Sequence, residues 1–552
     1  MEKAQPQSAP PTIKSDSDDL YEGLLQKHIL TELVIISWII FLWELYLTFR
    51  QRRLVQKLAD PPKVLDGLVE EDVYKKARSY SLDKSTFEIV QDVYSNVINT
   101  IFMTCWGFYF VWIWGKYLVE YVGLDPKNEI YVTAGCITVM RIYSTILCDL
   151  PFTVYDTFVL EQKHNFNNQT PLFFIKDQII KFLVSQILMV PLICGMVWIV
   201  MNGGDYFFLY LWLFTVGMSL LLMIIYPELI APLFDKYTPL PEGDLKNRIE
   251  ALASSLNYPL YKLYIVEGSR RSSHSNAYLY GFYKYKRIVL YDTLVAEYQK
   301  KKIEEEEKAK AEKQDSSENT GEEKKEVDAK PKESRGCETD EIIAVLAHEL
   351  GHWQHSHALQ GFLFGQVIFL CNFISFAQLL HYAPIYEAFG FTDSKPVLIG
   401  LMVVTMYVLA PLNKLLTWAL TVNSRRFEFQ ADRYAASLGH GEPLQRALVK
   451  LHKDNLGYPL FDKLYSNWHH SHPPLLERLD AIKKDTLHGY VGISLLLTII
   501  QSKLITKIAY LCKFKWIVLS NTLVAEYQKK KIEKKDKSND IAYKISEVYC
   551  EK

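Results

Sequence analysis

The chain has 552 residues, 49% of them hydrophobic and 13% aromatic, and a formal net charge of −1 at pH 7. Its apolar residues gather into blocks long enough to cross a bilayer, which excludes an ordinary soluble multidomain protein and points to a polytopic membrane protein. A net charge near zero, with no glycine loop suited to phosphates, excludes a nucleic-acid partner held by a basic surface.

Residues 1–28 are polar and hold Pro and acidic residues, so they read as a disordered tail rather than a cleavable signal. Leu30–Phe49 is the first crossing. Glu32 and Glu44 lie within it and must face protein or water, and Arg50, Arg52 and Arg53 place its far end on the cytoplasmic side. Residues 54–96 read as polar helix, and Asn99–Tyr121 returns across the membrane. Tyr131–Leu150 is a third crossing that carries Arg141, which requires an aqueous interior or an irregular span. The polar loop 155–177 is expected to be cytoplasmic, which makes the sequon at Asn168 a poor glycosylation acceptor. Ile179–Met201 and Tyr206–Ile230 pair across a tight lumenal turn, so spans one to five occupy 29–230. Cys105, Cys136, Cys148, Cys194 and Cys371 lie in apolar segments without a CxxC spacing, and read as packing residues rather than disulfides.

Ala231–Glu341 is the one long polar section, within a part of the chain that runs over 231–357. Tyr261–Val266, Asn276–Phe282 and Arg287–Tyr291 alternate as short strands of a small antiparallel sheet. A Lys/Glu-rich run follows, expected to be a solvated, disordered insertion at 299–336. The helix after it is expected to continue without a breaker into Leu359–Tyr382, a sixth span. Val397–Val422 is a seventh, kinked at Pro411, so spans six and seven occupy 358–422. Polar helices fill 423–485. The remainder, 486–552, is atypical: Thr522–Glu533 repeats Thr293–Glu304 letter for letter, which suggests a duplicated exon or an assembly error rather than a solenoid. Its apolar block Tyr490–Cys512 suits an interfacial helix or a marginal eighth span.

The chemistry centres on His348-Glu349-Leu350-Gly351-His352. Residues four apart share a helix face, so His348 and His352 can offer two imidazoles to one metal ion while Glu349 stands beside a bound water. A hydrolytic zinc ion takes three protein ligands and keeps one position open. His355 shares the face but sits roughly 10 Å along the axis from His348, too far for one ion; His357 points elsewhere. The third ligand is therefore expected from another helix. Glu428 is the candidate, with Asp432, one turn on, orienting a histidine from behind.

With these residues on the page, the chain resembles the type I CAAX prenyl protease family, a membrane zinc endopeptidase that processes farnesylated proteins. The resemblance spans about residues 25–485. It rests on HELGH, the Glu428–Asp432 ExxAD pattern, the Asn276-Ala277-Tyr278 strand, the Glu161–Asn167 loop and the His472–Arg478 segment. It implies one zinc ion held by His348, His352 and Glu428, with Glu349 as general base and Asp432 in support. It implies an edge strand at Asn276, Ala277 and Tyr278 that binds the substrate backbone, His472 on the developing oxyanion, and Arg478 positioning it or the substrate. The residues alone leave His469, His470 and His472 equivalent; the family's HPP pattern selects His472.

The resemblance further implies a mainly α fold in which about seven tilted helices ring a water-filled chamber, with a small β-sheet-containing zinc protease part on the cytoplasmic side. Farnesylated CAAX proteins would be the substrates, losing their last three residues and in some cases cut again upstream. Membrane lipid would be a partner and nucleic acid would not. A monomer in the endoplasmic reticulum membrane is expected, with the inner nuclear membrane as a second location. A general membrane quality-control protease on the same zinc fold is the alternative. A site-2-type protease is disfavoured, because Leu65-Asp66-Gly67 lies upstream in a polar stretch. A scaffold with structural zinc would not need Glu349.

Overall fold

Runs of Leu, Ile, Val and Phe can satisfy their backbone polar groups in lipid only as helices, and helices dominate the computed structural model, which describes residues 16–281, 284–298, 300 and 335–487. Five described helical segments are long and apolar enough to span: His28–Lys57, Glu129–Glu161, Pro171–Asn202, Gly204–Leu233 and His357–Leu379. Two bent pairs raise the number to seven. They are α2 (Glu71–Thr104) with α3 (Gly107–Tyr121), bent by 73°, and α12 (Val397–Val403, continued to Val408) with α13 (Ala410–Ala435), bent by 62°. The count agrees with the sequence. Pro411, in the first turn of α13, cannot continue the preceding ladder, so the kink falls where it was expected.

Other boundaries differ. Helix α1 runs Asp16–Lys57, so part of the expected tail is helical. The second crossing is broken at Trp106, whose φ of 57° lies in the left-handed region. The expected loop 155–177 is largely helix. After α4 (Glu129–Tyr143) the chain continues through a π-type turn, α5 (Leu150–Tyr155) and a second π-type turn to Glu161. Helix α6 (Pro171–Asn202) then starts eight residues before Ile179, capped by Thr170 with Pro171 in its first turn. That Thr-Pro pair is a helix start signal the hydropathy blocks conceal.

Several polar groups within the spans find partners. Arg141 meets Asp149 at 2.9 Å, and Glu44 receives Lys414 at 2.7 Å and the Trp468 indole at 2.9 Å. Asn372 and Asn413 exchange amide hydrogen bonds at 3.1 Å. Such pairing offsets the cost of carrying these groups to membrane depth.

The sheet is mixed rather than antiparallel. Its order is β1-β2-β4-β3, from β1 (Tyr237–Pro239), β2 (Leu260–Val266), β3 (Ala277–Tyr280) and β4 (Lys286–Tyr291), with β2 and β4 parallel. Alternation is the same for either orientation, which is why sequence alone did not separate them, and β1 is too short to show a pattern. Leu263, Ile265, Ala277, Ile288 and Leu290 turn one face onto the buried Ile342, Leu346 and Leu350 of α9 (Thr339–Gln354). Strand β3 is left at the sheet edge.

An isolated parallel bridge joins Val295 to Cys337, and Gly336, with φ of 98°, is held by Asp454 at 2.9 Å. Burial pushes the Cys337 thiol up to about 12. Most of the expected insertion between these stems, the tail from 488 onward and the second copy of the repeat lie outside the described residues.

Candidate metal centre

Helix α9 opens with a reciprocal cap: the Glu338 side chain accepts from the Glu341 backbone N–H, and the Glu341 side chain accepts from the Glu338 N–H at 2.8 Å. Its apolar face is buried as expected, and this fixes which way His348 and His352 project. Helix α13 crosses it closely at Gly351. A Cβ there would stand 3.0 Å from the Ala431 Cα and 3.1 Å from the Tyr434 Cβ, so any side chain would press α13 back by a few tenths of an ångström. That approach carries Glu428 and Asp432 to the histidines.

The His348 and His352 Nε2 atoms lie 3.2 Å apart, with Glu428 Oε2 3.5 Å from the first and Glu428 Oε1 3.4 Å from the second. One donor atom from each residue falls within 4.8 Å of the others. A tetrahedral zinc with bonds of about 2.0–2.1 Å has ligand–ligand edges of about 3.3–3.4 Å, so the three donors fit such an ion. The Glu428 Oε2 is buried and without a hydrogen-bond donor, a cost that a cation between the ligands would remove. Burial disfavours a charged His348, but the Asp432 and Glu428 carboxylates outweigh it and hold the imidazole near 9.

Each imidazole is held from behind. His348 Nδ1 meets Asp432 at 2.8 Å, and Asp432 is gripped by both arms of Arg478 at 2.8 and 2.6 Å. Arg478 is 9% exposed and its Nη1 lies 3.5 Å from Glu428, so it stands behind the ligands. His352 Nδ1 meets His357 Nδ1 at 2.9 Å, and His357 Nε2 meets the Gln430 side-chain oxygen at 2.9 Å. With Nε2 of His352 given to a metal, only one proton order fits: His352 donates to His357, and His357 donates to Gln430.

This second support was not foreseen, because the helix was expected to be continuous. It breaks at Ser356, whose φ of 54° is left-handed, and α10 (His357–Leu379) sets off in a new direction. The break returns the His357 ring to His352 and stacks it on Phe427 at 4.0 Å. Nothing in the residue spacing signals it.

Glu349 is half-buried beside the cluster, near enough to Tyr258 and Arg478 to act on both electrostatically. The three downstream histidines separate clearly. His472, 67% exposed, sits 3.3 Å from Glu428; His469 pairs with Glu44 at 3.3 Å; His470 packs edge-on against Phe461. Asn276 precedes the edge strand and its side-chain oxygen accepts from the Ala277 N–H at 2.8 Å. Ala277 is buried on the α9 side, and the Tyr278 hydroxyl on the opposite face meets that of Tyr237 at 3.1 Å.

Two family models cover most of the chain: CAAX prenyl protease N-terminal, five membrane helices, over residues 51–236, and peptidase family M48 over 239–486. The human CAAX prenyl protease 1 homolog is 45% identical over 473 residues, 85% of this chain and 98% of that protein. The Caenorhabditis elegans homolog is 43% identical over 81% of this chain and 96% of its own. The crystal structure of S. mikatae Ste24p matches with a TM-score of 0.70 and 32% identity, over 82% of this chain and 98% of that one. The two helices, the three-donor cluster and these matches together make the chain a member of the CAAX prenyl protease family within peptidase family M48.

Proposed function

We propose that the chain is a zinc metalloendopeptidase of the membrane that removes the last three residues of farnesylated CAAX proteins and makes a second upstream cut in some of them. The observation that carries this reading is the convergence of His348, His352 and Glu428 beside Glu349 and beneath an exposed His472. When bound, the zinc ion acidifies its water and polarises the scissile carbonyl. His348, His352 and Glu428 are the residues that hold it. Glu349 takes the proton from the attacking water and passes it to the leaving amine. His472 donates to the oxyanion from the open side, while Asp432 orients His348 and Arg478 fixes Asp432.

Asn276, Ala277 and Tyr278 offer the free edge of β3 to the substrate backbone as an added strand. The Asn276 side chain, which now covers the Ala277 N–H, exchanges that bond for one to the peptide. A prenylated terminus partitions into the bilayer surface, and the spans ringing a water-filled chamber keep the protease part at that surface. The chain acts as a monomer in the endoplasmic reticulum membrane, its zinc part cytoplasmic. Its working parts are spans at 29–230 and 358–422, and protease segments at 231–357 and 423–485. The 1–28, 299–336 and 486–552 segments take no part in catalysis.

The test is cleavage of a farnesylated CAAX peptide by purified protein, beside an unprenylated peptide and Glu349→Gln, with zinc quantified. Glu349→Gln is expected to retain zinc and lose about 100- to 10,000-fold in rate. Equal cleavage of both peptides would transfer the reading to membrane quality control, and full activity in Glu349→Gln would remove the assigned base.

A further inference from the structure

A cavity of about 510 Å³ opens on the sheet face turned away from α9, where α6 begins and the span ending at Leu233 meets the sheet. Lys176, Lys236, Arg270, Arg271 and Arg287 line it against only Asp177, Glu228 and Asp235, an excess of two positive charges. The arginines are held in place before any ligand arrives. Arg271 bonds Asp177 at 2.9 Å and Asp235 at 2.8 Å, and lies with Arg270 over the Phe173 ring. Arg287, 9% exposed, is sandwiched over Tyr261 and Tyr280 and paired with Glu228, yet its buried Nε has no acceptor. Lys176 is exposed and has no ion pair among the described residues.

The surroundings identify the kind of molecule. Both spans end at this level, so the cavity lies where a bilayer's headgroups begin. The outer surface around it is apolar: Leu172, Ile175, Ile179, Leu229 and Leu233 are each more than half exposed. Cations over an apolar band match a molecule with an anionic head and a greasy body. We infer that this cavity binds the phosphate group of an anionic phospholipid in the leaflet that faces the zinc part. The phosphate oxygens accept from Arg270 and Lys176 at the mouth, with Arg287 adding positive charge from inside, and the acyl chains lie along Ile179 and Leu233. Because Tyr280 closes β3 and also lines the cavity, the bound lipid braces the strand beside the metal centre.

The test uses the full chain, delipidated in a neutral detergent, and native mass spectrometry with phosphatidic acid, phosphatidylcholine or inorganic phosphate added. Wild type is compared with Lys176→Ala/Arg270→Ala, two exposed cations remote from the metal ligands, and with Arg287→Gln. Zinc content and thermal midpoint serve as controls for folding. Wild type should retain one phosphatidic acid in preference to phosphatidylcholine, and the double variant should bind it about 25-fold more weakly, at about fivefold per cation removed. Equal retention of both lipids, or no difference between wild type and the double variant, overturns the assignment. Saturation by micromolar inorganic phosphate also overturns it, and makes the site one for free phosphate.

Discussion

Asp432→Asn removes a charge from behind His348 while leaving the side chain's shape and one acceptor oxygen in place. The wild-type contact is a charge-assisted hydrogen bond at 2.8 Å, whereas the corresponding support of His352 is a neutral imidazole at 2.9 Å. Hydrogen bonds to charged groups contribute about 1.5–3 kcal/mol and neutral ones about 0.5–1.5 kcal/mol. Asp432→Asn should therefore weaken zinc binding about 10- to 100-fold, in line with the usual effect of losing a carboxylate behind a ligating histidine. His357→Phe keeps the stack on Phe427 but removes the acceptor, and should weaken it only about 2- to 10-fold. Both constants are measurable on metal-free protein in detergent by competition with a chromophoric chelator, with cleavage at saturating zinc recorded separately. An Asp432→Asn affinity within threefold of wild type, or a larger loss in His357→Phe, would refute the idea that the ligands are supported unequally.

Gly351→Val forces α9 and α13 apart at their closest point, so Glu428 should withdraw and zinc content fall to near zero while detergent-extracted protein remains helical by circular dichroism. Retention of stoichiometric zinc would show that the crossing tolerates a side chain. His470 is half-buried, and that burial, helped by the neighbouring His469, Arg425 and His472, holds its imidazole down near 4. The unfolded chain binds that proton at about 6.5, so stability is lost as pH falls from 6.5 towards 4. His470→Gln should flatten this acid limb by about 2 kcal/mol, allowing for partial exposure; an unchanged pH profile of chemical denaturation would count against it.

Helix count and the grouping of His348, His352 and Glu428 were legible because both depend on short-range pattern. Apolar blocks report span length directly, and the four-residue spacing of His348 and His352, like that of Glu428 and Asp432, reports a shared face. What the pattern did not carry was direction. Ser356 adopts a conformation most residues avoid, so no propensity marks the point where α9 stops, and with it went the pairing of His357 to His352. The parallel pairing of β2 with β4 was likewise invisible, since inward and outward positions alternate identically in both orientations. Arg478 was expected to help position the oxyanion donor or the substrate, and its bidentate grip on Asp432, a contact 46 residues apart, is one that local sequence cannot report.

The bridge between Val295 and Cys337 has a consequence for how this chain can change. It joins the two stems of the charged segment at one point, and the helix that carries His348 is capped by its own Glu338 and Glu341 immediately afterwards. The start of that helix thus has supports of its own outside the segment between the stems. With its ends already clamped, a connecting segment can double in length for a closure cost of about 0.6 kcal/mol. The position is a socket: sequence can be gained, lost or replaced there by an affinity tag or a whole reporter domain, while the catalytic geometry a few residues downstream stays in register.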